Sequence, residues 1–386
     1  MTLTQKTRLP LLGGFLAAAV LAASAVTHSV AAADPDAQVR MNQIQVIGSH
    51  NSYHAGLLPG MRAFLAKERP NDLRGLDYSH PRLDKQFDGG VRQIELDIFA
   101  DSKGGRYAHP AGPALEKAAG VTPVDPPQDM AVMMKPGFKV MHVQDLDQHS
   151  NCQPFTGCLQ IVRQWSHAHP HHLPIFIIVE TKQDAPLSIP NATVPEKFTP
   201  ASFDELDREI LSVFPRRELI TPDDVRGSYK TLNAAILAGQ WPTLAQARGK
   251  IVFLMDQRNV GEMYMQGHPG LRGRVLFNNA PAGRDDAAFT ELNDGPDSEI
   301  TALVKQGYLV RTRTDADTKE GRSGSTTRRD TAIASGAQIL SSDYPKAEPA
   351  KWTGYSVSFP GGLMARCNPV AVNPACQSDR LMVAKP

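Results

Sequence analysis

The sequence predicts an α/β protein built as a TIM-type (β/α)8 barrel, irregular in places. Three observations carry that expectation. Short apolar, β-rich runs alternate with segments of helical spacing along most of the chain. Eight such runs begin at Ile44, Val91, Lys139, Ile175, Ile251, Val275, Tyr308 and Gln338. Several of them end in polar, chemically capable side chains, and the C-terminal ends of strands are where barrel enzymes keep their chemistry.

Taken in order, the run 44–47 reads as a buried strand that stops at Gly48 and passes into Ser49-His50-Asn51-Ser52-Tyr53-His54. Residues 55–81 read as a loop and 82–87 as a short helix. Gln93-Ile94-Glu95-Leu96-Asp97-Ile98 places two carboxylates on one face of a strand, with Leu96 on the other. A polar, Gly- and Pro-rich insertion over 101–137 has little apolar periodicity and reads as an active-site loop. The run 138–143 returns as a strand with His142 near its end. Helical spacing of Leu159, Val162 and Trp165 follows, then Ile175-Phe176-Ile177-Ile178-Val179-Glu180-Thr181-Lys182, a strand ending in a carboxylate and a lysine. Beyond it the pattern predicts a helix over 203–214, with Phe203, Leu206, Ile210 and Leu211 on one face, a strand over 251–255 ending at Asp256, and a weaker strand over 275–277. A helix over 298–305, a strand over 308–310 leading into Arg311-Thr312-Arg313, a helix over 330–335 and a strand over 338–340 complete the alternation. From about residue 346 the chain reads as an irregular C-terminal cap.

Lys6 and Arg8, the apolar segment 11–26 and Ala31-Ala32-Ala33 have the order of a secretory signal, with cleavage expected after Ala33. The apolar segment is shorter than the ~20 residues of a spanning helix. Removing 1–33 leaves 39 Lys and Arg against 40 Asp and Glu, a balance that gives no reason to expect a nucleic-acid partner. No later apolar run reaches spanning length, so the mature chain, 34–386, is expected to be an exported single-domain barrel without a transmembrane segment. Cys152 and Cys158 lie six apart, Cys367 and Cys376 nine apart. In an oxidising compartment, two short-loop disulfides in that pairing are the simplest reading. Four thiolates on zinc are the rival, although neither spacing is of the CxxC type.

Asn51, Glu95, Asp97 and Glu180 supply oxygen ligands from three strand ends, the kind of set a hard cation such as calcium takes. His50 precedes one of these ligands and His142 closes a strand, so the two imidazoles are candidates for base and acid about one phosphorus. His54, His109 and His149 compete, His109 most strongly because it follows the acidic pair closely. The run from His167 to His172 reads as a solvated turn. Lys182 and Arg313 are candidates to meet a phosphate.

These residues resemble a known family. His50-Asn51, Glu95-Leu96-Asp97, the strand carrying His142, and Glu180 recur in the order found in calcium-dependent phosphoinositide-specific phospholipases C. Gly48-Ser49-His50-Asn51-Ser52-Tyr53, Gly137-Phe138-Lys139-Val140-Met141-His142 and Ser342-Asp343-Tyr344-Pro345 resemble the secreted bacterial branch of the PLC-like phosphodiesterases. The resemblance implies calcium held by residues matching Asn51, Glu95, Asp97 and Glu180, and catalytic histidines at His50 and His142. It further implies cleavage of a phosphatidylinositol-type phospholipid, at a membrane surface, to diacylglycerol and an inositol phosphate. The insertion before His142 departs from the family pattern. A glycerophosphodiester phosphodiesterase is the nearest alternative, but that family follows its first histidine with Arg-Gly where this chain has Asn51-Ser52. A non-catalytic headgroup-binding protein on the same barrel is the alternative of another class.

Overall fold

The structure is a computed structural model and describes residues 1–9, 34–126, 128–184, 189 and 191–383. Residues 1–9 carry no helix or strand. The rest of the expected leader, with its cleavage point, lies outside the described residues.

From residue 34 onward the strands are β1 (Ile44–Ser49), β2 (Gln93–Phe99), β3 (Lys139–Val140), β4 (Ile175–Lys182), β5 (Ile251–Met255), β6 (Phe289–Glu291), β7 (Leu309–Arg313), β8 (Ile339–Ser342) and β9 (Ala365–Cys367). Seven of them run parallel in the order β5-β4-β2-β1-β8-β7-β6. Two isolated parallel bridges, Leu254 with Phe277 and Asn279 with Phe289, span the gap from β5 to β6. The result is a nearly closed parallel barrel with helices outside.

Period-2 alternation sorts each strand between the barrel interior and the helical layer. On β2, Ile94, Leu96 and Ile98 join the main apolar core, while Gln93, Glu95 and Asp97 line the interior. The meeting of Glu95 and Arg311 proves the point, since β2 and β7 are not neighbours in the sheet and touch only across the barrel. Gly48 is dictated by the same geometry: a Cβ there would collide with the side chain of Gln93, its register partner on β2.

The outer helices follow from their sequences. Pro200–Val213 opens with a Thr199–Ser202 capping box and proline in its first turn, and buries Phe203, Leu206, Ile210 and Val213. Asp297–Gln306 carries Asp297 and Glu299 in its first turn and Lys305 in its last, complementing the helix dipole, and stops at Gly307, whose φ of 100° suits only glycine. Phe155–Ala168 buries Phe155, Leu159, Val162 and Trp165.

Several expectations need correction. The stretch 55–81 holds two helices, Pro59–Glu68 and Pro70–Leu76, and the insertion holds Gly112–Ala118 and Met130–Met133. The run at Lys139 is no barrel stave: β3 pairs antiparallel with the end of β2. β4 occupies one edge of β2 along its whole length, so β3 takes the other edge, beyond the point where β1 leaves it. The expected strand at 275–277 contributes only bridges, and the three-residue β6 takes a place that the sequence did not signal. The cap is less irregular than expected, because β9 pairs antiparallel with β1. His172, expected in a solvated turn, is buried against Ser166, and His169 stacks on Trp165. Cys152–Cys158 and Cys367–Cys376 are both disulfides. Among the described residues no helix is long and apolar enough to cross a membrane.

Candidate active site

β1 ends level with β8, whereas β2 runs on. The backbone of His50 donates to Ser342 of β8, and the loop beyond is tied to β2 by Ser52, which accepts from Glu95 N through Oγ and donates its own N–H to Glu95 O. Asn51 is held at φ 46°, a left-handed conformation that asparagine tolerates better than most residues and that collects at functional positions. Its amide nitrogen donates to Tyr78 Oη at 2.9 Å, which turns Oδ1 away as a buried acceptor without a partner.

Glu95, Asp97 and Glu180 are brought together: one oxygen of each lies within 4.8 Å of the others. Register explains it, since Asp97 pairs with Glu180 across β2 and β4 and Glu95 sits two residues back on the same face. Burial pushes the Glu95 carboxyl up to about 7 against the opposing pull of Arg311, and pushes Asp97 well above the carboxylate range, with Glu180 adding to it. Burial acts on Glu180 too, but Lys182 outweighs it and holds that carboxyl low. Among the described residues neither oxygen of Asp97 has a hydrogen-bond partner, and Oδ2 lies 3.2 Å from the Lys182 ammonium, an ion pair without hydrogen-bond geometry. Asp97 Oδ1, orphaned within an all-oxygen donor set, is what a hard divalent cation would satisfy, and Asn51 Oδ1 is a second buried oxygen without a partner among the described residues. The residues present therefore fit calcium.

His50 opens onto a cavity of about 670 Å³ lined also by Asn51, Tyr78, His142, Arg313 and Asp343. Its Nδ1 lies 2.7 Å from Asp343 Oδ1, and its Nε2 lies 3.2 Å from Arg313 Nη1 and 3.6 Å from Glu95 Oε1. Because Asp343 accepts, Nδ1 carries the proton and Nε2 is left as a lone pair. Burial and the nearby Arg313 and Arg311 hold the imidazole well below its ordinary pKa, hence neutral. His80 buttresses the backbone, with Nε2 2.9 Å from the His50 carbonyl and Nδ1 2.5 Å from Glu348.

His142 lines the same cavity, but the reason differs from that expected. It does not end a barrel strand: antiparallel β3 carries the chain back down the overshooting edge of β2, and His142 follows two residues after Val140. Its Nδ1 lies 3.0 Å from Asp147 Oδ2. His109 is exposed in the insertion and is not among the residues lining the cavity. Lys182 turns to Asp97 and to Glu180 Oε1 at 3.1 Å, whereas Arg313 reaches His50 and Asp343.

Sequence reasoning missed Tyr78, Asp147, Arg311 and the role of Asp343. Arg311 donates to Glu95 Oε2 at 2.6 Å and pairs with Glu291, so one guanidinium joins two buried carboxylates. Asp343 and Arg311 carried a usable signal, since one follows the end of β8 and the other lies two residues before Arg313 on the same strand face. Tyr78 and Asp147 carried none.

A family model described as phosphoinositide phospholipase C, Ca2+-dependent, matches residues 39–369. No curated protein matches the chain. Among solved structures, a calcium-dependent phosphoinositol-specific phospholipase C from a Gram-negative Pseudomonas species, described as an apo form and myoinositol complex, is 15% identical. The match covers 86% of this chain and 96% of that one, with a TM-score of 0.52. A second crystal form of that enzyme, also 15% identical, matches over 86% and 97% with a TM-score of 0.50. At such identity the likeness is one of fold, but the family model spans most of the chain, from the residues before β1 to those after β9. The chain therefore belongs to the calcium-dependent phosphoinositide phospholipases C, enzymes of the phosphodiesterase type.

Proposed function

We propose that the chain uses calcium to cleave phosphatidylinositol-type lipids at a membrane surface, yielding diacylglycerol and a cyclic inositol phosphate. The observation that carries this reading is the pairing of two carboxylate-oriented imidazoles, His50 and His142, on one cavity beside the trio Glu95, Asp97 and Glu180.

Asn51, Glu95, Asp97 and Glu180 would hold a calcium ion, which when bound lowers the pKa of the attacking hydroxyl and offsets charge on the phosphoryl oxygens. His50 Nε2 takes the proton of the inositol 2-hydroxyl as that oxygen attacks phosphorus. Asp343 keeps the required tautomer by accepting from Nδ1. Arg313 presents its guanidinium beside His50 Nε2, where a phosphate oxygen in transit would meet it. His142, charged, gives its Nε2 proton to the diacylglycerol oxygen as the P–O bond breaks. Lys182 is assigned to balancing Asp97 and Glu180 and not to the substrate. Export supplies the oxidising setting that suits two disulfides and fits the leader-like order of the first 33 residues.

The test is a panel of phospholipid vesicles incubated with the purified chain, with calcium and with chelator, followed by phosphorus NMR. A five-membered cyclic phosphate released from phosphatidylinositol alone, and only with calcium, is expected. Undiminished activity after exhaustive chelation, or no release from any inositol lipid, would sink the reading.

A further inference from the structure

The loop that carries His142 folds back on itself. His142 N and Val143 N both donate to the carbonyl of Asp147, and Asp147 N donates to Val143 O at 2.8 Å. Five residues after His142, the Asp147 side chain is thereby returned to the imidazole it follows. The same loop is strapped to the segment after β1: His54 and Ser150 form an antiparallel bridge, Ala55 N donates to His149 O, and Asn151 N donates to Tyr53 O. The strap carries His54 in behind Asp147.

One carboxylate oxygen serves both rings. Asp147 Oδ2 lies 3.0 Å from His142 Nδ1 and 2.9 Å from His54 Nε2. The side chains of Asp147 and His54 are wholly buried, whereas His142 is 22% exposed at the cavity. Burial alone would raise the Asp147 carboxyl, yet the two histidines outweigh it and hold it well below the usual range. An ionised, solvent-free carboxylate with a histidine on either side has a fixed direction. His54, lacking any path to substrate, packs at a tilt against Tyr78, 4.6 Å between ring centres, and does no chemistry of its own.

We infer that Asp147, packed against His54, is the positioning residue of the reaction's acid: it accepts from His142 Nδ1–H and so turns Nε2 to the cavity, where the imidazolium's second N–H meets the leaving oxygen. This rests on the reading of His142 as the acid. Without Asp147 the ring is free to turn away from the leaving oxygen and loses the anion that stabilises its charged, acid-competent form. His54 contributes through Asp147 as the buried ring set against its Oδ2, at an ion-pair distance without hydrogen-bond geometry, which limits how the carboxylate can turn. Neither residue touches the reacting atoms.

The experiment compares phosphatidylinositol vesicles with a p-nitrophenyl phosphodiester of inositol, whose leaving group needs no proton. Asp147→Asn should lower turnover on the lipid by about 10- to 100-fold and on the p-nitrophenyl ester by less than about threefold. An amide there no longer stabilises the imidazolium, and by turning its N–H to Nδ1 it would hold the ring in the neutral form, a weaker acid. His54→Phe should show the same split at smaller size, and His54→Gln, which keeps an N–H donor, should restore most of the loss. Proton NMR of the wild-type chain should show a protected imidazole Nδ1–H resonance that disappears in His142→Ala, a readout that does not depend on how the aspartate variant folds. Equal losses on both substrates for Asp147→Asn, no loss at all, or no Nδ1–H resonance from His142 would overturn the inference. If His142→Ala itself shows no dependence on the leaving group, the assignment of the acid fails instead, and the two failures are told apart.

Discussion

Lys182→Met is the most informative perturbation of the candidate metal site, because its effect should reverse with calcium. Lys182 Nζ lies 3.2 Å from Asp97 Oδ2 and 3.1 Å from Glu180 Oε1, while the three carboxylates approach one another within 4.8 Å. At an effective dielectric of about 20, each of those ion pairs is worth about 5 kcal/mol and each carboxylate pair repels by about 3.5 kcal/mol. The cation thus offsets most of the repulsion, and its own desolvation takes back much of the gain. With the lysine a quarter exposed, a net loss of about 2–3 kcal/mol is expected in chelator. Calcium brings two charges where the lysine brought one. At a hundred times its dissociation constant, the ion should stabilise the wild-type chain by about 2.7 kcal/mol and the variant by more, since it no longer competes with the ammonium. Urea unfolding in chelator and in millimolar calcium measures all four states. The expected pattern is a gap between variant and wild type that shrinks to below about 1 kcal/mol with calcium and that magnesium does not close. A variant equally destabilised in both conditions, or a wild-type chain indifferent to calcium, would refute the reasoning.

Three further outcomes follow from the packing. Gly48→Ala should cost about 1–3 kcal/mol of unfolding free energy by overpacking against Gln93, and the Gly48→Ala, Gln93→Ala double variant should recover more than additivity allows. Burial holds the Glu209 carboxyl up at about 7, against 4.5 when free, so its contribution to stability is complete below the free value and is lost as pH rises through about 7. Glu209→Gln, which can still accept from Phe138 N, should therefore flatten the decline between pH 4.5 and 7 and gain about 1–3 kcal/mol at pH 8 by chemical denaturation. Replacing Cys367 and Cys376 together with Ser should cost about 2–3 kcal/mol and, because Cys367 pairs with Ile44, speed hydrogen exchange in β9 and the start of β1 before the rest of the barrel.

What could be read in advance divides along physical lines. β1, β2 and β4 are long apolar or alternating runs, and the residues at their ends are set by local sequence alone; His50, Asn51, Glu95, Asp97 and Glu180 were legible for that reason. The helices Pro59–Glu68 and Pro70–Leu76 were not, although Leu83–Asp88 was; each of the two opens with proline in its first turn, where proline suits a helix. β3 was visible as a run, but its direction depends on β2 outrunning β1, a property of two distant segments. β6 is too short for any period to register. Within the site, Asp147 acts through a loop that doubles back and Tyr78 through a segment read as coil, so neither function has a signature in local spacing. His142 was picked for the right cavity by the wrong route.

Strand β7 shows how period 2 organises the charges about the site. Arg311 and Arg313 share one face, two residues apart, and each meets a different layer of the barrel interior. The lower guanidinium is almost wholly buried and divides itself between Glu95 and Glu291, with Asn293 and Ser341 accepting from the same two terminal nitrogens. The upper one reaches the cavity and faces His50 and Asp343. A slip of one residue in the pairing of β7 with β8 would turn both arginines outward into the helical layer and leave Glu95 without its cation. Register is therefore the means by which the fold keeps Glu95 beside Asp97 and Glu180. With Arg311 in place, Glu95 shares a cation with Glu291, while Asp97 and Glu180 share Lys182. Any cation bound by the trio would add to these two, beside the cavity that His50 and Asn51 line.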